Sequence, residues 1–290
     1  MRVRFFQTTK EIVEIPISSP NYPKEWRDIA GAPNVLYAVG DAALLRMRKF
    51  AIVGSRRTPT PALKLGAEIA KELSTEFVIV TGTADGGDFA AIEGALTDGG
   101  KVICVLAGGF SALPQNQLSI LERVANSGLI ISPYPSETEI RAFSYEYRNK
   151  LLSGLSEGVL VVGAAEKSGA LITAKYAKQQ GKPIFALPYF PGSVSGAGCN
   201  ALLKSGGILA ENAQDIAKSM GINLEERKKS VHLTSDEAKV YGVLRETMES
   251  HVSELAEKSG IPLFKIRGIL SSLEVKGLAT SLGGNRYAPA

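Results

Sequence analysis

The sequence predicts an α/β protein: an extended Rossmann-like, mainly parallel sheet with a C-terminal winged-helix domain. Two observations carry that expectation. Between Phe50 and Met220, short apolar runs recur, each ending in a Gly-rich turn and followed by helical spacing. Continuous apolar strands alternating with helices mark a parallel sheet covered on both faces. After a charged stretch at 223–230 the pattern changes to three helical periods and a glycine-turned hairpin, the order of a winged helix-turn-helix.

Taken along the chain, Glu11-Ile-Val-Glu-Ile15 reads as a short strand, and Pro16 to Gly40, with Pro20, Pro23 and Pro33, reads as irregular. Strands follow near 50–54, 77–81, 101–106, 128–131, 158–162, 183–187 and 207–210. Helices are expected near 61–74, 88–97, 116–126, 146–153, 169–180, 198–204 and 213–219. Asn223 to Ser230 is charged and lacks an apolar face, so it reads as a linker between residues 1–222 and 231–290. In the second part Ser235 is the expected N-cap of a helix to Met248, with Asp236 and Glu237 in its first turn. His251 to Lys258 gives a second helix, and Leu263, Ile266, Leu270 and Leu273 share one face of a third. Leu278–Leu282 and Arg286–Ala288 form a hairpin around Gly283 and Gly284.

Composition excludes several classes. The 290 residues are 44% hydrophobic and 21% charged, ordinary for a globular protein, and no apolar run approaches the ~18 residues of a membrane span. Met1-Arg-Val-Arg-Phe-Phe6 is not followed by an apolar segment of signal-peptide length, so the cytoplasm is the expected location. Cys104, inside a strand, and Cys199, in a glycine turn, make neither a disulfide framework nor a metal site. His232 and His251 lie away from every Gly-rich turn, and no metal or cofactor is expected. The net charge of +4 permits an anionic partner. From Ser230 onward basic and acidic residues balance, so the excess lies in the first part.

The carboxyl ends of parallel strands gather into one crevice, and here they carry phosphate-binding chemistry. Gly54-Ser55-Arg56 leaves the first Rossmann strand just before a helix starting at Pro59. Its amino end attracts anions, and a guanidinium can clamp a phosphate. Gly82, Gly86 and Gly87 allow close backbone approach, and Asp88 is placed to cap the next helix, a structural role, while Asp85 would repel phosphate at the same mouth. Arg148-Asn149-Lys150 is expected to begin a helix aimed at the strand ending in Gly163, with Phe143, Tyr145 and Tyr147 before it. Basic residues interleaved with aromatics suit single-stranded nucleic acid. Lys167, Ser168 and Gly169 open a further helix that carries Thr173. Arg56, Arg148 and Lys150 are expected to share one DNA-phosphate site, and Arg56→Ala or Arg148→Ala to weaken binding with the fold intact.

Val53-Gly-Ser-Arg56, Val80-Thr-Gly82 through Gly86-Gly-Asp88, Ala95-Leu96, Arg148-Asn-Lys150, Gly154-Leu155, Ser168-Gly-Ala-Leu-Ile-Thr173, Pro183-Ile-Phe-Ala-Leu-Pro188, Gly198-Cys-Asn-Ala-Leu-Leu203 and Gly206-Gly207 resemble the DNA-processing protein A (DprA/Smf) family in order and spacing. The resemblance covers roughly residues 20 to 220, and the C-terminal part resembles the winged helix of many members. It implies a non-enzymatic homodimer that binds single-stranded DNA, protects incoming strands in natural transformation and helps load RecA recombinase onto DNA coated by single-strand-binding protein. It carries the arginine of the family's Gly-Ser-Arg turn onto Arg56, and its Arg-Asn-Arg element onto Arg148 and Lys150, with lysine replacing the last arginine. The chain departs from the family at Thr81, Asp85, Ile92 and Pro133, and shows Tyr145-Glu146 where a Phe-Pro element is usual.

Three other functions compete. A nucleotide hydrolase of the related cytokinin-activating (LOG) group would need a glutamate that is absent between Lys167 and Pro188. A dinucleotide oxidoreductase would need Gly-x-Gly-x-x-Gly where Gly54-Ser-Arg-Arg-Thr-Pro59 stands. A nucleotide-sensing winged-helix regulator would need a basic recognition surface, and the neutral tail does not supply one. The winged helix is instead expected to serve protein contact or regulation.

Overall fold

The computed structural model describes residues 11–224 and 233–290. The chain divides into two compact units, Met1–Glu225 and Glu226–Ala290. Of the expected linker only 223 and 224 are described, and Leu224 is buried in the core of the first unit. The rest of that segment, with His232, lies outside the described residues.

In the first unit the strands are β1 (Val13–Pro16), β2 (Val35–Gly40), β3 (Lys49–Gly54), β4 (Val78–Thr81), β5 (Val102–Val105), β6 (Leu129–Ser132), β7 (Val159–Gly163), β8 (Ile184–Ala186) and β9 (Ile208–Leu209). The helices are α1 (Lys24–Arg27), α2 (Thr60–Leu73), α3 (Gly87–Thr97), α4 (Leu118–Ser127), α5 (Ala142–Leu155), α6 (Gly169–Gln179), α7 (Ala197–Lys204) and α8 (Ala213–Ser219). One sheet holds all nine strands in the order β1-β2-β6-β5-β4-β3-β7-β8-β9. After the edge strands β1 and β2 the chain passes to mid-sheet at β3, moves outward to β6 beside β2, then crosses back through α5 to β7 on the other side of β3. This reversal between β3 and β7 is the point where an open α/β sheet leaves a crevice at its carboxyl edge.

Strict two-residue alternation explains why such short strands hold. Phe50, Ile52, Ile79, Cys104, Leu160 and Val162 enter one core, under α2, α3, α4 and α8. Their neighbours Ala51, Val53, Val80, Ile103, Val159 and Val161 enter the other, under α1, α5, α6 and α7. Both faces are covered, so both sets must be apolar. Helix α5 is tied down over its last turns. Trp26 donates its indole N–H to the Leu151 carbonyl at 2.8 Å, and Lys182 donates to the carbonyls of Ser153, Gly154 and Ser156 at 2.5–2.9 Å.

Several expectations need correction. Pro16–Gly40 is not irregular throughout: Val35–Gly40 forms β2, which pairs antiparallel with β1 and β6. Helix α5 starts at Ala142, four residues before the expected start at 146, which places Arg148 in its second turn. Cys199 lies in α7, buried, its thiol against the Val161 carbonyl at 3.6 Å. Burial pushes both thiols well above the usual range. Among the described residues no helix is long and apolar enough to cross a membrane, and no three His, Cys, Asp or Glu side chains cluster to hold a metal.

The second unit holds α9 (Ser235–Thr247), β10 (Ser250–His251), α10 (Val252–Ser259), α11 (Leu263–Val275), β11 (Ala279–Gly283) and β12 (Arg286–Pro289), with a sheet in the order β10-β12-β11. Gly284 and Asn285 turn the wing at φ 57° and 60°, the positive pair of a type I′ hairpin. Ile266, Leu270 and Leu273 are buried; Leu263 lies on the same face but, as the first residue of α11, is half exposed. The N-cap of α9 is Thr234 rather than Ser235, because Glu237 completes a reciprocal capping box: its N–H donates to Thr234 Oγ1 at 3.3 Å and its carboxylate accepts the Thr234 N–H at 2.7 Å.

That carboxylate also accepts Ser272 Oγ at 2.6 Å and Lys276 Nζ at 2.7 Å, joining α9 to the end of α11. The Lys276 bond, then Ser272 and Thr234, pull Glu237 down to about 2. A depressed carboxylate contributes stability above its unfolded-state value that is lost as pH falls through the folded one. The unit is expected to weaken from about pH 4 toward 2, and Glu237→Gln to remove that dependence in acid unfolding followed by circular dichroism. An unchanged acid limb in the variant would assign the dependence to other carboxylates.

Candidate functional site

At the carboxyl ends of β3 and β7 a cavity of about 470 Å³ opens. Two turns and the flank of a helix build it. The first leaves β3 as Gly54, Ser55, Arg56 and Arg57. Ser55 Oγ accepts the Arg57 N–H at 3.2 Å and the Ser55 carbonyl accepts Thr58 Oγ1 at 2.8 Å, a local turn that fixes the backbone and leaves both arginines exposed. The second follows β7: Lys167 is exposed, and Ser168 caps α6 by accepting the Ala170 N–H at 3.3 Å. The third contribution is the flank of α5, which crosses beneath the sheet edge and supplies Tyr145, Arg148 and Asn149 to the wall.

Arg148 is buried. Its Nη1 donates to the Val105 carbonyl at 3.2 Å and its Nε to Asn149 Oδ1 at 2.9 Å. Asn149 in turn donates from Nδ2 to the Gly169 carbonyl at 3.2 Å, which joins α5 to the start of α6. Asp88 does not cap α3. It sits buried in the first turn, where Oδ1 accepts the Gly54 N–H at 3.3 Å and Oδ2 the Ala84 N–H at 3.1 Å. It thereby links the turn after β3 to the turn after β4. Burial pushes its carboxyl above the usual range, against the pull of Arg148, the two N–H donors and Arg56. Burial likewise pushes the Arg148 guanidinium down, but a guanidinium stays charged in proteins. Gly82 lies between these two side chains. A Cβ there would collide with the Arg148 guanidinium and the Asp88 carboxylate, so only glycine lets them approach.

The geometry sorts the expected site residues. Gly54, Ser55, Arg56, Arg148, Asn149, Lys167, Ser168, Gly169 and Thr173 all line the cavity. Gly82 does not; it is the floor between Arg148 and Asp88. Lys150 does not either: its ammonium donates to the Ala30 carbonyl at 2.6 Å and lines a separate hollow with Glu25 and Asp28. Residues two apart on a helix lie about 200° apart around its axis, so Arg148 and Lys150 cannot serve one site. Of the three aromatics, Tyr145 lines the cavity 6.0 Å from the Arg148 guanidinium carbon, Tyr147 bonds the Gly31 carbonyl, and Phe143 is exposed outside it. Asp85 is exposed and absent from the lining. Arg57, outside the expected set, also lines the cavity, and its signal in the sequence is the second arginine of Gly54-Ser-Arg-Arg57.

Chemically, the cavity has three exposed cations at its mouth, an apolar wall of Val53, Leu152 and Ile172, and a buried arginine partly balanced by one carboxylate. That arrangement has the chemistry to take an anion at the rim and a planar or apolar group against the wall.

The family model for DNA recombination-mediator protein A matches residues 14–221, and that for the sugar-specific transcriptional regulator TrmB matches 228–289. The DNA processing protein DprA of Bacillus subtilis is 36% identical over 209 residues, which span 71% of this chain and 70% of that protein. The crystal structure of DprA from Streptococcus pneumoniae superposes with a TM-score of 0.69 at 32% identity, covering 72% of this chain and 74% of that one. A DNA processing protein A from Helicobacter pylori, studied for its single-stranded-DNA binding mode, superposes at 0.65 with 31% identity, over 76% of this chain and 98% of that one.

Proposed function

Since the chain belongs to the DNA recombination-mediator protein A family, we propose that its α/β unit binds single-stranded DNA at the carboxyl edge of the sheet, as a recombination mediator for incoming strands. The observation that carries the reading is the concentration of exposed cations, Arg56, Arg57 and Lys167, around one cavity lined by Tyr145 and apolar side chains. Phosphates pair with the cations while a base packs on the wall. Arg148 works from beneath, tying α5 to the end of β5 and orienting Asn149. Working as a homodimer in the cytoplasm, the protein passes strands coated by single-strand-binding protein to RecA, and the winged-helix unit serves protein contact.

The same reading makes the site non-catalytic. Asp88 is the one carboxylate among its described lining residues, and two backbone N–H groups occupy it. Incubation with ATP and nucleoside monophosphates should leave them intact; release of free base would favour a hydrolase.

Titration with labelled single-stranded and duplex oligonucleotides at two salt concentrations tests the binding. The unsubstituted protein should prefer the single strand. Arg56→Ala with Arg57→Ala should weaken binding and lower the slope of log affinity against log salt by about 0.7 for each phosphate that is no longer neutralised. Both side chains are exposed, so stability should stay within about 0.5 kcal/mol. Unchanged affinity and slope in the folded double variant would reject this site.

A further inference from the structure

The loop after β8 presents apolar side chains to water on a fixed backbone. Phe190 is 85% exposed and Val194 81%. The neighbouring Tyr189 is clamped by Asn200, whose Oδ1 accepts the Tyr189 N–H and whose Nδ2 donates to the Tyr189 carbonyl, both at 3.0 Å. The Tyr189 hydroxyl donates to the Val162 carbonyl at 2.7 Å, and the Ser193 N–H closes a turn onto the Phe190 carbonyl at 3.1 Å. An aromatic ring on so constrained a backbone gives up little further freedom when it meets a partner.

Tyr189, Pro191 and Val194 border a second hollow, of about 950 Å³, which shares Ala165 and Lys167 with the cavity at the ends of β3 and β7. Lys204, exposed on α7, also lines it, and Glu166 is the one acidic residue among its described lining. Phe190 does not itself line this hollow but stands between two residues that do, Tyr189 and Pro191; an exposed ring beside two ammonium groups, continuous with an anion site, fits the next nucleotides of one extended strand, with phosphates on the lysines and a base on the ring.

We propose that the loop 189–194 with Lys204 is a second subsite for single-stranded DNA, in which Phe190 stacks on a base as the strand leaves the first cavity over Lys167. This rests on the reading of the first cavity as a single-strand site. Phe190→Ala is expected to weaken binding of an oligothymidylate of about 20 nucleotides by on the order of tenfold, with the salt slope unchanged because no cation is removed. Lys204→Ala should lower that slope. Phe190→Trp should keep affinity and gain a fluorescence signal: the only native tryptophan, Trp26, is fully buried, so quenching on DNA addition reports stacking on the introduced indole. Wild-type affinity in Phe190→Ala, or an unquenched indole in a Phe190→Trp protein saturated with DNA, overturns the subsite while leaving the first cavity standing. A change in sedimentation without a change in DNA affinity would assign the ring to a second copy of the chain and also overturn it. Failure of the unsubstituted protein to bind any single strand would defeat the underlying reading instead.

Discussion

Arg148→Ala is expected to destabilise the α/β unit by about 3 kcal/mol or more, a fall in melting temperature of about 10 °C for a unit of this size. Three losses combine. The Val105 carbonyl and Asn149 Oδ1 lose a buried donor, the buried Asp88 carboxylate loses its nearest balancing charge, and the wall of the cavity loses the side chain that fills it. The sequence-based expectation that this substitution spares the fold is therefore corrected by burial: Arg56 is exposed and Arg148 is not. The two arginines should separate experimentally. Arg56→Ala should change DNA affinity with no shift in melting, whereas Arg148→Ala should change both. Adding Asp88→Asn to Arg148→Ala should recover part of the lost stability, since it removes the uncompensated charge. A wild-type melting curve for Arg148→Ala would mean that the guanidinium is not structural.

What the sequence made legible follows from what burial demands. The strands from β3 to β7 are covered on both faces, so each announces itself as an unbroken apolar run, and the Gly-rich turns mark their carboxyl ends. Helix starts were legible where a local signal exists, as with Ser168 before α6. Strand β2 was not, because its meaning is non-local: Tyr37 to Gly40 pair antiparallel with β6, whose partner residues lie 89 or more positions later, and the prolines around it mask the run. The direction of side chains on α5 was hidden for a similar reason. Charge and spacing placed Arg148, Asn149 and Lys150 together, but only the helix axis and the position of Ala30 decide that Lys150 turns away. Asp88 carried the signal of a cap because it begins a helix, yet the approach of β3 to α3 gives it a stronger partner in the Gly54 N–H.

That approach is also the basis of the second large effect. The backbones of Gly54 and Gly87 touch: a Cβ on Gly54 would come within 2.8 Å of Gly87 Cα and 2.5 Å of Val162 Cγ2, and one on Gly87 would collide with Gly54 Cα. Neither neighbour is a flexible tip. Gly54 ends the strand at the middle of the sheet, bonded to β7, and Gly87 is the first residue of α3. Gly87→Ala must therefore push α3 off β3, breaking the hydrogen bond of Asp88 with the Gly54 N–H, and should cost about 3 kcal/mol or more. Gly169→Ala is the matched control, since its added methyl meets nothing within 4 Å; its stability should stay close to that of the unsubstituted protein. Urea unfolding of the two variants decides the matter. If Gly87→Ala unfolds at the unsubstituted midpoint, the two turns slide apart freely and Asp88 does not set the crevice. If it is destabilised and the protein that remains folded binds single strands weakly, the spacing of the β3 and β4 turns is what aims Arg56 and Arg57 at the phosphates.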